Sequence, residues 1–139
     1  MVGGEAMASD PDPVTGITTV TRHPFLWGVG LWAAAHLAAN GDAASLVLFG
    51  GMAVLSFGGM IHIDYRRHAT LGADWGPIAM STSAIPFLAA LQGRHPVDWR
   101  GIGWSRLFAG LMFYAVLLVL HPWIGGTSVI PQVLLGGIG

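Results

Sequence analysis

The sequence predicts an all-α membrane protein, a polytopic bundle of about three spanning helices with short interfacial or re-entrant helices between them. Hydrophobic residues make up 53% of the 139 positions, and charged residues only 9%. A soluble domain usually carries about 25% charged residues, so this surface is suited to lipid rather than to water. The length is that of one domain, and we expect residues 1–139 to form a single integral membrane domain.

Composition also narrows the chemistry that the chain can perform. The net charge is −1, so the chain lacks the basic surface that nucleic-acid binding requires. There is no cysteine, which excludes disulfides and every thiolate metal site. Histidine, methionine and carboxylates therefore remain as the metal ligands that the sequence offers.

Residues 1–21 are predicted to be a surface segment and not a signal peptide. The first twelve residues have no basic region and no apolar run, and Pro11 and Pro13 interrupt the segment. The first helix is expected to begin near Pro24, because proline is tolerated in the first turn of a helix. The internal hydrophobic segments are therefore expected to drive membrane insertion.

Residues 24–63 are predicted to form a helical hairpin. Phe25–Ala39 is an apolar run of 15 residues, which covers about 22 Å as a helix and falls short of the ~30 Å hydrocarbon core. Asn40-Gly41-Asp42 is a turn signal, and Ala43–Ile63 then supplies 21 residues without a charge, enough to span. Glycine pairs in this second run favour close helix packing in lipid: Gly50-Gly51 and Gly58-Gly59.

Residues 64–106 are predicted to be a basic interfacial loop with one or two short amphipathic or re-entrant helices. Pro77 and Pro86 interrupt its apolar stretch, and its tryptophans suit a membrane interface, where an indole has one wet and one apolar side. Asp64 can pair locally with the arginines after it, a surface contact worth about 0–1 kcal/mol. Five of the six arginines lie in this loop: Arg66, Arg67, Arg94, Arg100 and Arg106.

Residues 107–124 are predicted to be the third spanning helix, and residues 125–139 an apolar, glycine-rich tail to which the sequence assigns no place. Arginines flank the predicted spans on one side, which the positive-inside rule assigns to the cytoplasm. The turn at residues 40–42 and the C-terminus are then expected to face outward.

Histidine is the main chemical signal in this apolar chain. His36 follows Trp32 and three alanines on a helix, and an imidazole in hydrocarbon requires a partner. A structural hydrogen bond and a metal or haem ligand both satisfy that requirement, and the residues leave both open. His121 lies at a helix C-terminus, where it can bond the last carbonyls. Its depth is similar to that of His36, which also allows a bis-His haem site between facing helices.

The remaining histidines are expected at the cytoplasmic side. His23 and His62 fall together when the hairpin is folded about its turn, and a shared polar contact is expected there. His68 and His95 belong to the basic loop and are expected to be solvated.

Several stretches, taken in order, resemble the NnrU family, which also includes the plant and algal zeta-carotene isomerases. Each stretch is short, and it is their order over most of the chain that makes the resemblance specific. Residues 2–6 also resemble an internal stretch of family members. The matching stretches are Gly16–Trp27, Leu31–Asp42, Thr82–Phe87, Gly93-Arg94 and His121-Pro122.

The resemblance implies a multi-span protein of the bacterial inner membrane, tied to denitrification and nitric oxide metabolism. For the isomerase branch it implies haem b, whose iron isomerises a cis double bond and whose helix histidine ligand corresponds to His36. This sequence differs from that branch in two features. Ala33 stands where the isomerases have a cysteine, and their second histidine ligand lies in an N-terminal helix that has no counterpart in this sequence.

A complete haem site would therefore draw its second ligand from another source. The candidates are His121, a second chain or homo-oligomer, or the pair of hydrophobic helices that family members usually carry before the region where this sequence starts.

Other functions stay open at this stage. The chain resembles a haem-dependent cis-trans isomerase of a carotenoid-like polyene, and a cofactor-free membrane assembly subunit is a further alternative. Arg22-His23-Pro24 also resembles the isoprenylcysteine and phospholipid methyltransferases. Those enzymes use a later glutamate-containing segment, whereas the corresponding place here is Asp64–His68.

Overall fold

The computed structural model describes residues 14–127, and this part of the chain is helical and contains no strand. The all-α prediction is confirmed for this range. The long helices are α1 (Pro24–Ala39), α2 (Ala43–Leu71) and α6 (Trp104–Gly125). The short elements are 3₁₀ turns at Gly16–Thr19 and Gly72–Asp74 and the helices α3 (Trp75–Ser81), α4 (Leu88–Leu91) and α5 (Trp99–Ile102).

The chain divides into two compact units, Met1–Gly101 and Ile102–Gly139. The helices α1 to α4 belong to the first unit, and α6 belongs to the second. Most of the predicted surface segment 1–21, the family-like stretch 2–6, and the apolar tail beyond Thr127 lie outside the described residues.

The hairpin of α1 and α2 has defined caps at its turn. Helix α1 begins at Pro24, as predicted, and ends where the Asn40 side-chain amide donates to the His36 carbonyl at 2.7 Å. Helix α2 begins after Asp42, whose carboxylate accepts from the Ser45 backbone N–H at 2.9 Å. Such an N-cap is typically worth about 1 kcal/mol. The sequence Asn40-Gly41-Asp42 therefore sets both helix ends.

Close packing in the hairpin depends on Gly30 of α1. A Cβ at Gly30 would lie 2.8 Å from Cζ of Phe57 on α2, and the Phe57 ring also packs edge-on against Trp27 at 5.5 Å. The predicted role of the α2 glycine pairs is wrong for this contact. Within the described chain, Cβ atoms at Gly50, Gly51 and Gly58 would meet nothing within 4 Å, and one at Gly59 would make an ordinary contact with Leu26.

Helix α2 continues through Leu71, eight residues beyond the predicted end at Ile63. The loop that was expected to start at residue 64 therefore starts later, after Leu71. Asp64 lies inside the helix, and its carboxylate is paired with side chains from before α1. The helix ends at Gly72, which has a φ of 55° and so adopts a conformation that favours glycine.

Helix α6 spans Trp104–Gly125, slightly longer than the predicted 107–124. It follows Gly103, with a φ of 78°, and ends at Gly126, with a φ of 72° and its N–H bonded to the Pro122 carbonyl. Left-handed glycine is a common helix terminator. None of the α6 residues is buried within the described chain.

Two helical runs are long and apolar enough to cross a membrane, Ala43–Ser81 and Trp104–Gly125. Helix α1 is apolar but has 16 residues, which at 1.5 Å per residue is about 24 Å and shorter than the hydrocarbon core. The length of α1 agrees with the short first run that the sequence predicted.

Candidate functional site

His36 lies in the last turn of α1 against two aromatic side chains, and we call Trp32, His36 and Phe49 the His36 cluster. The His36 ring centroid is 4.6 Å from that of Trp32 and 5.0 Å from that of Phe49 on α2. The Trp32 and Phe49 rings are 5.3 Å apart and nearly perpendicular. The imidazole is half-buried in an apolar, aromatic setting close to the hairpin turn.

The His36 ring makes a backbone contact that fixes its orientation. Its Nδ1 atom lies 2.9 Å from the Trp32 carbonyl oxygen, so the tautomer that satisfies this contact has the proton on Nδ1 and the lone pair on Nε2. A metal-bound histidine commonly donates its second ring N–H to a carbonyl in this way. The residues of the His36 cluster therefore fit one axial ligand of a haem, with aromatic rings beside it.

His121 lies in the last turn of α6, in the second unit of the chain. Its Nδ1 atom is 2.8 Å from the carbonyl oxygen of Thr127, which lies beyond the end of the helix, so this contact is not the expected one with the last helical carbonyls. His36 and His121 belong to different units, and the bis-His haem site stays a prediction. Among the described residues, no group of three or more histidine or carboxylate side chains is placed to hold a metal ion.

A second cluster surrounds Asp64 on α2, and we call Arg22, His23, Asp64, Trp75 and Thr82 the Asp64 cluster. Arg22 Nη2 donates to Asp64 Oδ2 at 2.7 Å, and His23 Nε2 lies 2.9 Å from Asp64 Oδ1. Arg22 Nη1 donates to the Thr82 hydroxyl at 3.1 Å, and its guanidinium carbon lies 5.4 Å from the centroid of the Trp75 ring.

The Asp64 cluster is largely removed from solvent. The His23 side chain is fully buried, and the Arg22 and Asp64 side chains are 12% and 22% exposed. One guanidinium and one carboxylate balance in charge, which is the condition under which burial of both is tolerated. Two buried atoms, Arg22 Nε and His23 Nδ1, have no hydrogen-bond partner within the described residues.

Backbone contacts hold the Asp64 cluster together. Val20 and Arg22 pair with the loop before α4, through Phe87 N–H to the Val20 carbonyl at 2.8 Å and Arg22 N–H to the Ser83 carbonyl at 2.9 Å. The Ala84 carbonyl accepts from Thr21 Oγ1 at 2.8 Å and Trp27 Nε1 at 2.7 Å. The segments 16–27 and 82–87, both quoted above for the family resemblance, are therefore joined in space.

Arg94 extends this network at the C-terminal end of α3. Its Nη1 atom lies 3.2 Å from the carbonyl oxygen of Ala79 and 2.8 Å from those of Met80 and Thr82. Because the helix ends at Ser81, these carbonyl oxygens have no N–H of a following helical turn to accept from. A cationic side chain beside them is therefore stabilising. Arg94 acts structurally here.

Asp98 ties the first 3₁₀ turn to a distant part of the chain. Its carboxylate accepts from the backbone N–H of Gly16 at 2.9 Å and of Gly101 at 2.8 Å, and its own N–H donates to Thr19 Oγ1 at 2.9 Å. The hydrogen bond from Gly101, followed by that from Gly16, holds the pKa of Asp98 below its ordinary value of 3.8.

Two expectations about these side chains were wrong. Asp64 does not pair with the arginines that follow it but with Arg22 and His23, 42 and 41 residues earlier. His23 accordingly pairs with Asp64 and not with His62, which is exposed. Residues 62 and 64 differ by two positions, which is about 200° around a helix, so only one of them can face α1.

The Asp64 cluster was not among the sites predicted from the sequence. A signal was available, because Asp64 is the first charge after 21 uncharged residues and Arg22-His23 immediately precedes the partner helix. A carboxylate at the end of an apolar run requires a counter-charge, and the hairpin brings Arg22 to it.

Comparison with known proteins supports one family over nearly the whole chain. Residues 2–129 match the family model described as NnrU protein. The chain is 34% identical over 122 residues to the 15-cis-zeta-carotene isomerase, chloroplastic, of Arabidopsis thaliana, and 30% identical over 122 residues to the protein of the same description from Zea mays. Each match covers 82% of this chain but 32% of the relative, so the chain spans about a third of the length of these relatives. No solved structure matches.

Proposed function

This chain belongs to the NnrU family, and from that membership we propose that it is an integral membrane protein that binds haem b through His36 and serves nitric oxide metabolism in denitrification. The observation that carries the haem proposal is the His36 cluster. There, Nδ1 lies at hydrogen-bond distance from a carbonyl oxygen, and aromatic rings flank the imidazole. The proposed location is the inner membrane of a bacterium.

The membrane part of the proposal is supported by the helices. Two helical runs have the length and composition of a span, and α6 exposes large apolar side chains over its whole length. Exposed side chains such as Phe108, Leu111, Phe113 and Trp123 would face water in a soluble protein. Since apolar burial is worth roughly 25 cal/mol per Å², lipid is the more favourable surrounding for such a helix.

The His36 cluster supports the haem part through the chemistry of its own residues. The Trp32 carbonyl can hold the Nδ1 proton and thereby fix the tautomer whose Nε2 atom is basic. Trp32 and Phe49 limit the rotation of the imidazole and present apolar faces of the kind that pack against a macrocycle. When bound, haem b supplies an iron centre that can bind nitric oxide. The second axial ligand is proposed to come from His121, from a second copy or another chain, or from a preceding helix pair.

An absorption spectrum tests this proposal directly. Protein produced with supplied haem and purified in detergent is expected to show a Soret band. After chemical reduction of the iron, it is expected to show the α and β bands of a b-type haem. Protein made under the same conditions that is pure, folded and free of a Soret band would overturn the haem proposal and favour the cofactor-free assembly subunit.

Matched variants assign the ligand. His36→Gln keeps a polar side chain of similar length but removes the imidazole, and it is expected to abolish the Soret band. His62→Ala removes an exposed histidine of the same hairpin and is expected to retain the full band. Retention of the band by His36→Gln would exclude His36 as the ligand.

The corresponding His121→Gln variant is expected to change the spectrum if His121 supplies the second ligand and to leave it unchanged if it does not.

A second candidate function is haem-dependent cis-trans isomerisation of a lipophilic polyene. The observation in its favour is the 34% identity to a protein described as a 15-cis-zeta-carotene isomerase. Product analysis with a cis-polyene in detergent or lipid separates it from the first candidate, because an accessory protein leaves the isomer ratio unchanged. The methyltransferase alternative has less support, since Arg22 and His23 are both engaged with Asp64.

A further inference from the structure

The C-terminal end of α2 carries two adjacent arginines, Arg66 and Arg67, that no carboxylate of the described chain neutralises. Both ion pairs among the described residues belong to Asp64, whose oxygens are taken by Arg22 and His23. Asp42 caps the opposite end of α2, Asp98 binds backbone N–H groups, and Asp74 is exposed and forms an ion pair with neither arginine. Arg66 and Arg67 therefore form a cationic pair with no carboxylate counter-charge among residues 14–127.

Arg66 and Arg67 are neighbours on adjoining faces of α2, about 100° apart around the helix. Asp64 faces the segment that leads into α1, because it bonds Arg22 and His23. Arg66 follows two positions later, about 200° around the helix, and therefore points away from that contact. Arg66 is exposed and Arg67 is half-exposed. Exposed Ile61 and Tyr65 lie within one or two turns, at 75% and 73% exposure, so an apolar and an aromatic side chain adjoin the cationic pair.

The depth of this pair along α2 matches the level of lipid phosphates. The uncharged part of α2, Ala43–Ile63, has 21 residues, about the length that crosses a ~30 Å hydrocarbon core. Arg66 and Arg67 follow three and four residues later, which is roughly 4.5–6 Å beyond the core at helical rise. The headgroup layer on each side is about 5–8 Å thick.

We propose that Arg66 and Arg67 bind the phosphate of an anionic phospholipid at the membrane surface. A guanidinium offers paired N–H donors that match phosphate oxygens, and it retains its charge at any physiological pH. Tyr65 is suited to the same depth, with its ring against the acyl boundary and its hydroxyl toward the headgroups. This inference rests on the membrane insertion in the proposed function and is independent of haem.

The experiment measures lipid binding by the full chain in two steps. The protein is first reconstituted into nanodiscs of phosphatidylcholine alone, which tests membrane insertion without any anionic lipid. Delipidated protein in neutral detergent is then titrated with phosphatidylglycerol or phosphatidylcholine, and binding is followed by native mass spectrometry and by the shift in Tm.

The expected result is preferential binding of phosphatidylglycerol by the unmodified chain. Each arginine near an anionic surface contributes roughly fivefold in affinity, so Arg66→Gln/Arg67→Gln is expected to weaken binding about 25-fold. Arg66→Lys/Arg67→Lys keeps the charge and is expected to recover most of the loss. Arg100→Gln removes one exposed arginine elsewhere and is expected to change the affinity less than either Arg66→Gln or Arg67→Gln.

Three outcomes would overturn the proposal. Equal affinity for the two lipids is one, and unchanged phosphatidylglycerol binding by the double glutamine variant, with its Tm retained, is another. Displacement of the lipid by inorganic phosphate at constant ionic strength is the third, because it would identify a site for free phosphate. Failure to enter phosphatidylcholine nanodiscs would instead contradict membrane insertion itself.

Discussion

The two ends of the α1–α2 hairpin differ in how their polar groups are held. At one end, the Asp64 cluster is largely buried, and the Asp64 carboxylate contacts both the Arg22 guanidinium and the His23 imidazole. The guanidinium also donates to the Thr82 hydroxyl. At the other end, His36 is half-buried among aromatic rings, and its Nδ1 atom lies at hydrogen-bond distance from a carbonyl of its own helix. The first cluster therefore joins distant parts of the chain through charged and polar groups, whereas the second holds an imidazole among aromatic rings at the place where we propose haem binding.

The largest expected effect is that of Asp64→Asn. The substitution removes the charge that neutralises the mostly buried Arg22 and leaves one oxygen where two serve Arg22 and His23. Breaking such a pair costs about 3 kcal/mol or more of unfolding free energy. Equilibrium unfolding of the detergent-solubilised protein measures it. Asp74→Asn, at an exposed aspartate, is the control and is expected to change stability by less than about 0.5 kcal/mol. Similar values for the two variants would show that the Asp64 cluster contributes little to the fold.

The next largest effect is expected for Gly30→Ala. The added Cβ would lie 2.8 Å from Cζ of Phe57, and overpacking of this kind typically costs 1–3 kcal/mol. Gly28→Ala on the same helix is the matched control, since a Cβ there meets nothing within 4 Å in the described chain. It is expected to be neutral or stabilising by up to about 1 kcal/mol. Phe57→Leu is expected to relieve part of the cost in the double variant, and equal stabilities of the two alanine variants would contradict the packing argument.

A smaller stability effect is expected for His36→Gln, together with complete loss of the haem that we propose His36 binds. The imidazole is half-buried and its hydrogen bond is local, so the apoprotein is expected to lose no more than about 1 kcal/mol. Unfolding curves of haem-free protein measure the stability, and the absorption spectrum measures haem. A loss as large as that of Asp64→Asn would assign His36 to the framework of the hairpin and remove the contrast between its two ends.

The smallest effect is expected from the titration of Asp98. Its pKa is lowered in the folded chain by hydrogen bonds from Gly101 and Gly16. The stability that it contributes is therefore fully present above the ordinary pKa of 3.8 and is lost as the pH falls through the lower, folded-state value. Tm values of the unmodified chain and of Asp98→Asn are expected to differ at neutral pH and to converge below the folded-state pKa. A constant difference down to acid pH would contradict the role of the carboxylate.

Local features of the chain were predictable because they depend on neighbouring residues. Pro24 marks the start of α1, Asn40-Gly41-Asp42 sets the turn, and the helical character of α2 and α6 follows from their apolar runs. His36 was recognisable because a histidine among alanines and leucines is costly in lipid. The stretches that resembled the NnrU family were likewise readable from order and spacing alone, and the family is confirmed.

The partners of the buried polar side chains depend on the tertiary fold. No local rule joins Arg22 to Asp64 across 42 residues, or the Ala84 carbonyl to Trp27, since these contacts follow from how the hairpin and the loop at residues 82–87 fold together. The end of α2 at Leu71 and the close contact of Gly30, and not of a glycine pair of α2, with Phe57 were likewise visible only in the folded chain. Helix periodicity and turn residues are encoded within a few positions, whereas the face that a helix buries depends on what packs against it.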